Sequence, residues 1–132
     1  MSAEVRFTFA AKAMGTAVSA HIDDVVPQEI ADDSWESVGV FLRDIEDRFS
    51  TFLPTSEISR INKGELHVLD ASPDVVEVLD ACTWLEHLSD GVFNARRPDG
   101  SIDPAGFVKG WAAERAARLL AEAGLKNYYL RI

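Results

Sequence analysis

Cys82 is the one cysteine in this 132-residue chain. That excludes an internal disulfide and a metal–thiolate cluster. The three histidines, His21, His67 and His87, stand far apart. They show no H-x-x-x-H spacing, and no cysteine lies near enough to complete a ligand set. No apolar run approaches the roughly 18 residues needed to span a membrane. The N-terminus lacks a basic segment leading into an apolar one, so the sequence predicts no signal peptide and a cytoplasmic protein. Basic charge is scarce too: 13 Lys and Arg stand against 22 Asp and Glu, for a net charge of −9. Such a surface repels nucleic acid and anionic membranes and favours solubility. Local N–H groups and one or two cations still suffice to bind a phosphate, so the charge excludes partners without choosing a function. Repeats, low-complexity stretches and linkers are absent.

What is present reads as an ordinary globular protein, 47% apolar and 27% charged. The length suits one domain burying roughly two thirds of its unfolded surface. Val5 to Phe9 alternates like a strand, and Ala17 to Ile22 reads as its partner across Met14-Gly15-Thr16. Pro27 and Asp32-Asp33 read as a connection. Ser34 then serves as cap of a helix with apolar positions Trp35, Val38, Phe41, Leu42, Ile45 and Phe49. Ser56 to Asn62 is a short helical turn, Gly64 ends it, and Leu66 to Leu69 is a short strand. Ser72-Pro73-Asp74 is the clearest helix start in the chain. That helix carries Val75, Val76, Leu79, Cys82, Leu85 and Leu88, and Gly91 ends it in a left-handed cap. Cys82 on its apolar side reads as a buried structural thiol. A Pro/Gly/Arg-rich loop covers Ala95 to Ile102.

A third long helix follows Pro104, through Phe107, Val108, Trp111, Ala112, Ala116, Leu119 and Leu120, and stops at Gly124. Asn127 to Ile132 is a fourth strand, apolar on consecutive positions as if buried on both faces. The expected fold class is α+β, a mixed small β-sheet with about three helices. Within it, Asp103-Pro-Ala-Gly-Phe-Val-Lys-Gly-Trp-Ala puts a carboxylate, backbone N–H groups and an ammonium at one helix start. That is either a seat for a phosphorylated ligand or a plain helix beginning. It is not a Walker A loop. Lys109 in a first helical turn opposes the helix dipole. Arg96 and Arg97 read as solvated surface arginines, with help to phosphates as the alternative.

Four segments, taken in order, resemble the ApbE family, the FAD:protein FMN transferases. Met14-Gly15-Thr16 is similar to its M-G-T. Phe49-Ser50-Thr51-Phe52 with Ser56-Glu57-Ile58-Ser59-Arg60-Ile61-Asn62 resembles its S-x-[YWF]…S-E-I-S-x-x-N segment. Ser89-Asp90-Gly91-Val92-Phe93-Asn94 resembles its G-A-F-D turn, and Asp103 to Gly110 its D-x-x-G-x-x-K-G motif. The resemblance implies an N-terminal, flavin-binding half of that fold over residues 1–132. It implies an enzyme that splits FAD, with Mg²⁺, and joins FMN to a threonine of a target flavoprotein. It assigns FAD contacts to Met14, Phe52, Val92, Phe93, Asn94, Asp103 and Lys109, and a metal contact to the Gly106 carbonyl.

The side-chain chemistry is compatible with these roles. Met14 and Phe52 suit a flat ring, although without the motif context core packing is the favoured reading of both. Asp103 suits either an adenosine group or a helix cap. Asn94 departs from the family's Asp. The family's G-G-D and H-x-x-D-P-x-T-G segments, with the main metal ligands, have no counterpart here, so the chain reads as truncated and alone inactive. No catalytic residue is assigned. A homo-oligomer or a complementary C-terminal half is the expected partner, and family members are often exported or lipid-anchored. A non-catalytic flavin- or adenine-nucleotide-binding module, and an acidic α+β interaction domain, are the alternatives.

Overall fold

Phe7–Ala13 and Thr16–Ile22 form β1 and β2, an antiparallel hairpin with Ala13 opposite Thr16, in a computed structural model that describes residues 7–132. Val5 and Arg6, the predicted start of the first strand, lie outside the described residues. Met14 and Gly15 make the two-residue turn, with φ of 55° and 69°. A two-residue turn with both central residues left-handed matches the twist of the strands it joins. Glycine adopts that conformation freely, whereas methionine is strained by its Cβ.

Val18, Ala20 and Ile22 alternate along β2 and are buried on one face of the sheet. Tyr128–Arg131 forms β3, antiparallel to β2 with Ile22 opposite Tyr128. The sheet order is β1-β2-β3. All its pairings are antiparallel instead of mixed, because each joins neighbouring strands that run in opposite directions. β3 was expected to be buried on both faces. It alternates half-buried and exposed positions, because it lies at the edge of the sheet. The Asp24 carboxylate holds it in register by accepting from the N–H groups of Lys126 and Asn127, each at 2.8 Å.

The helices are α1 (Gln28–Phe49), α2 (Glu57–Asn62), α3 (Pro73–Leu88) and α4 (Ala105–Glu122). Three are the expected long ones, and α2 is the predicted helical turn. None is long and apolar enough to cross a membrane. α1 begins well before its predicted cap. Pro27 starts it, accepting at its carbonyl from the Ile30 N–H at 3.0 Å. Asp32 and Asp33 are therefore exposed helical residues and no connection. Ser34 lies buried inside the helix and donates to the Ala31 carbonyl at 2.8 Å. The buried face reads Ala31, Val38, Leu42, Ile45 and Phe49, as helical periodicity requires.

The predicted Leu66–Leu69 strand is a 3₁₀ turn over Val68–Asp70. The His67 Nδ1 accepts from the Leu69 N–H at 3.1 Å, and this local bond competes successfully with extension. α3 buries Val75, Val78, Leu79 and Cys82. Leu88, expected on that face, is 65% exposed, since it projects about 130° from the centre of the buried arc. Its C-terminus is closed by Gly91 N–H to the Glu86 carbonyl at 2.8 Å and Asp90 N–H to the His87 carbonyl at 3.3 Å. Asp90, with φ of 53°, holds the left-handed capping position one residue before Gly91.

The chain divides into two compact units, Met1–Asp44 with Gly110–Ile132, and Ile45–Lys109. The boundary falls inside α1 and inside α4. The first unit contains the sheet, and the second contains α2, α3 and the loops around them.

Candidate functional site

In the Ile45–Lys109 unit, the S-E-I-S-R-I-N segment acts as a set of ties. Ser56 caps α2, accepting from the Ser59 N–H at 3.1 Å. The hydroxyls of Ser56 and Ser59 both donate to the Ser50 carbonyl, at 2.5 and 3.2 Å. This fixes the backbone just before Thr51 and Phe52. Glu57 accepts from the Ser72 N–H at 2.6 Å and the Ser72 hydroxyl at 2.8 Å, and so anchors the start of α3. Ser72 holds the cap position there, but its side chain makes no cap bond to α3. Arg48 completes this cluster through Ser72 at 3.1 Å and Asp74 at 3.0 Å. Asn62 reaches Ile102, donating to its carbonyl at 2.9 Å and accepting from its N–H at 2.8 Å.

Residues 95–102, expected to be a loop, fold back with Asp103 as a small hairpin. Arg96 bridges Ile102, Arg97 N–H donates to the Ser101 carbonyl at 2.8 Å, and Asp103 N–H donates to the Ala95 carbonyl at 2.7 Å. Arg97-Pro98-Asp99-Gly100 is the turn, closed by Gly100 N–H to the Arg97 carbonyl at 2.9 Å. Gly100 has φ of 86°, the left-handed residue that follows a type I turn in three-residue hairpin loops. The Ser101 hydroxyl and N–H donate to Asp99 Oδ1 at 2.6 and 2.9 Å and hold its carboxyl below its ordinary value. The Pro-Asp-Gly triplet carries this turn in the sequence.

The hairpin sets Asp103 beside the turn that follows α3. Its Oδ1 accepts from the Ala105 N–H at 3.1 Å, the expected capping contact. Its Oδ2 accepts from Arg97 Nη2 at 2.9 Å. Arg97 Nη2 also donates to Thr51 Oγ1 at 3.2 Å. Arg97 is thus a cross-brace between Asp103 and the loop of Phe52, where the sequence predicted a solvated arginine.

Phe52 is 92% exposed and Val92 is 91% exposed, so neither is core. Phe93 is half-buried. A Cβ on Gly106 would meet its ring edge at 3.8 Å, so Phe93 lies against the first turn of α4. Asn94 is exposed, and its Oδ1 accepts from the Arg96 N–H at 2.8 Å. Lys109 is exposed. It was expected in the first helical turn, but α4 starts at Ala105, which places it just beyond that turn and weakens its conflict with the dipole. Met14 belongs to the other unit and lies half-buried in the β1–β2 turn.

Among the described residues no group of three or more His, Cys, Asp or Glu could hold a metal ion. Gly106 offers one carbonyl oxygen, already placed in the helical ladder of α4. Cys82 is buried, and burial pushes its thiol from 9.0 up to about 11, which suits packing and not nucleophilic chemistry. A shallow groove on α1 and α4, lined by Asp33, Glu36, Ser37, Val40, Phe41, Asp44 and Leu119, contains none of the predicted site residues.

The model of the ApbE family matches residues 14–96. The flavin transferase ApbE from Vibrio cholerae superposes with a TM-score of 0.81 at 17% identity, covering 97% of this chain and 57% of that chain. The apo flavinyl transferase ApbE of Pseudomonas stutzeri gives 0.81 at 16% identity, with 100% of this chain and 60% of that one covered. The ApbE protein of Thermotoga maritima gives 0.77 at 16% identity, with 96% and 56% covered. At such identities the likeness shows the fold. The chain spans less than two thirds of the length of these structures. No curated protein matches it.

Proposed function

The chain belongs to the ApbE family, and we propose that its Ile45–Lys109 unit binds FAD as part of an FAD:protein FMN transferase. The observation that carries this reading is Phe52. A phenyl ring left 92% exposed, on a loop held by three separate polar ties, gains nothing for the fold and suits a stacking platform for a flat ring. Phe93, against Gly106 in the first turn of α4, and Asn94 are further proposed contacts, and Asp103 accepts from a nucleotide N–H or O–H through its remaining lone pairs. Lys109 supplies a cation for the diphosphate, and Val92 adds apolar contact. Met14, given a flavin contact by the family resemblance, lies in the other unit, on a turn whose left-handed backbone is the kind of strain that functional positions retain.

In the proposed reaction a threonine hydroxyl of a target flavoprotein gives up its proton to water and its oxygen bonds to the FMN phosphorus. The diphosphate bridge breaks and AMP leaves. Magnesium, when bound, offsets charge developing on the diphosphate. The described residues contribute the Gly106 carbonyl toward it and no carboxylate cluster, so by themselves they do not make a magnesium site.

Titration with FAD, followed by flavin fluorescence or calorimetry, tests the binding. Phe52→Ala is expected to weaken FAD by about 1–3 kcal/mol, the usual value of ring stacking, and Lys109→Met by about 1.5–3 kcal/mol. Equal affinities for all three proteins refute the assignment.

Asn94 in place of the family's Asp, with no metal-ligand cluster among the described residues, favours a second reading, a flavin-binding module without transfer chemistry. Incubation with FAD, Mg²⁺ and a threonine-bearing acceptor tests the second reading: a mass gain of one FMN on the acceptor overturns it.

A further inference from the structure

We propose that Arg97 is a ligand-positioning residue of this site, one that admits an anionic dinucleotide by cancelling the charge of Asp103 and bracing it to the Phe52 loop. The proposal rests on the FAD reading above and deepens it.

Three observations carry it. First, one nitrogen, Nη2, makes both contacts, to Asp103 Oδ2 at 2.9 Å and Thr51 Oγ1 at 3.2 Å. These partners lie on segments distant in sequence, Thr51 directly before the exposed Phe52 and Asp103 directly before Pro104 and α4. Second, the backbone of Arg97 is locked by the hairpin through its N–H to Ser101 and its carbonyl to Gly100. The guanidinium is therefore delivered from a fixed base instead of a floppy loop. Third, the pair is partly open to solvent, with side-chain exposures of 42% for Arg97 and 31% for Asp103. Nε and Nη1 have no partner among the described residues, which leaves N–H donors of the planar fork for an incoming oxygen anion.

The electrostatics give the reason. The protein carries −9 net charge, and a bare carboxylate at the mouth of the site would repel a diphosphate. Paired with Arg97, Asp103 keeps its spare acceptor lone pairs for the nucleotide's N–H or O–H groups without that repulsion. Lysine at this position would keep the charge and lose the fork.

FAD titration of the whole chain at low and moderate salt, for the natural protein, Arg97→Met and Arg97→Lys, is the test. Arg97→Met is expected to weaken FAD by about tenfold and to flatten the salt dependence, while Arg97→Lys, which keeps the charge and loses the fork, weakens FAD by about threefold with the salt dependence kept. Thr51→Val, which removes the brace and leaves the charge, is expected to weaken FAD with the salt dependence unchanged. Thermal melting of each variant accompanies the titration, because a merely structural arginine would move stability in both Arg97 variants alike. The proposal is overturned if Arg97→Met binds FAD as tightly as the natural protein, or if Arg97→Lys is as weak as Arg97→Met. If the natural protein itself binds no FAD, the FAD reading falls and this inference with it. FAD binding that ignores Arg97 removes this inference alone.

Discussion

The Asn62 side-chain amide pairs with both backbone groups of Ile102, donating to its carbonyl at 2.9 Å and accepting from its N–H at 2.8 Å. A side chain here completes the pairing that a neighbouring strand would otherwise supply. Asn62→Ala leaves two backbone groups to water and is expected to cost about 1–2 kcal/mol, with urea denaturation as the measurement. Asn62→Asp keeps the acceptor and loses the donor, so it should fall between Asn62→Ala and the natural protein. If Asn62→Ala unfolds at the natural midpoint, the tie contributes nothing.

The β1–β2 turn carries strain that can be measured. Met14 sits at φ of 55°, where asparagine is tolerated and other residues with a Cβ are disfavoured by about 1–2 kcal/mol. Asn-Gly is the preferred pair for such a turn. Met14→Asn is therefore expected to raise stability by about 0.5–1 kcal/mol and, under the proposed function, to weaken FAD. A lower melting temperature would show that Met14 is packed favourably enough to outweigh its backbone.

Cys82 makes stability depend on pH on the alkaline side. Burial raises its thiol from 9.0 up to about 11 in the folded protein, so the unfolded chain gives up that proton first. Between those values the folded state binds more protons than the unfolded state, and stability falls as pH rises. Below that window the thiol is protonated in both states and contributes no slope. Urea midpoints from pH 8 to 10.5 should decline less steeply for Cys82→Ala, which starts lower because of its cavity. Parallel declines in the two proteins would place the alkaline sensitivity elsewhere.

β3 lies at the edge of its sheet, and an edge strand presents unpaired N–H and C=O groups to other chains. Tyr129 is 47% exposed, stacked on His21 at 4.6 Å between ring centroids. Self-association through this strand, or pairing with a complementary segment, is the expected outcome at micromolar concentration. Light scattering of the natural protein against Leu130→Lys checks it. A monomer unaffected by the substitution would count against β3 as an interface.

Local chemistry was enough, in the sequence by itself, to determine several elements and the family. Ser72-Pro73 starts α3 and Pro104 precedes α4. Gly124, with φ of 90°, stops that helix. Met14-Gly15 turns β1 into β2, and Ser56 caps α2. Each is decided by residues within a turn or two of one another, where backbone preference, proline geometry and capping act.

Only the tertiary structure decided the rest. A serine at position 34 reads as a cap in sequence and lies buried within α1, because Pro27 starts the helix earlier. Leu66 to Leu69 reads as a strand and becomes a 3₁₀ turn, because the His67 ring bonds the backbone beside it. The roles of Glu57, Asn62 and Arg97 depend on partners 15, 40 and 46 residues away. No periodicity encodes such pairings. They arise when the chain folds back and brings polar groups within hydrogen-bond reach, and these long-range ties hold Phe52 and Asp103 in place.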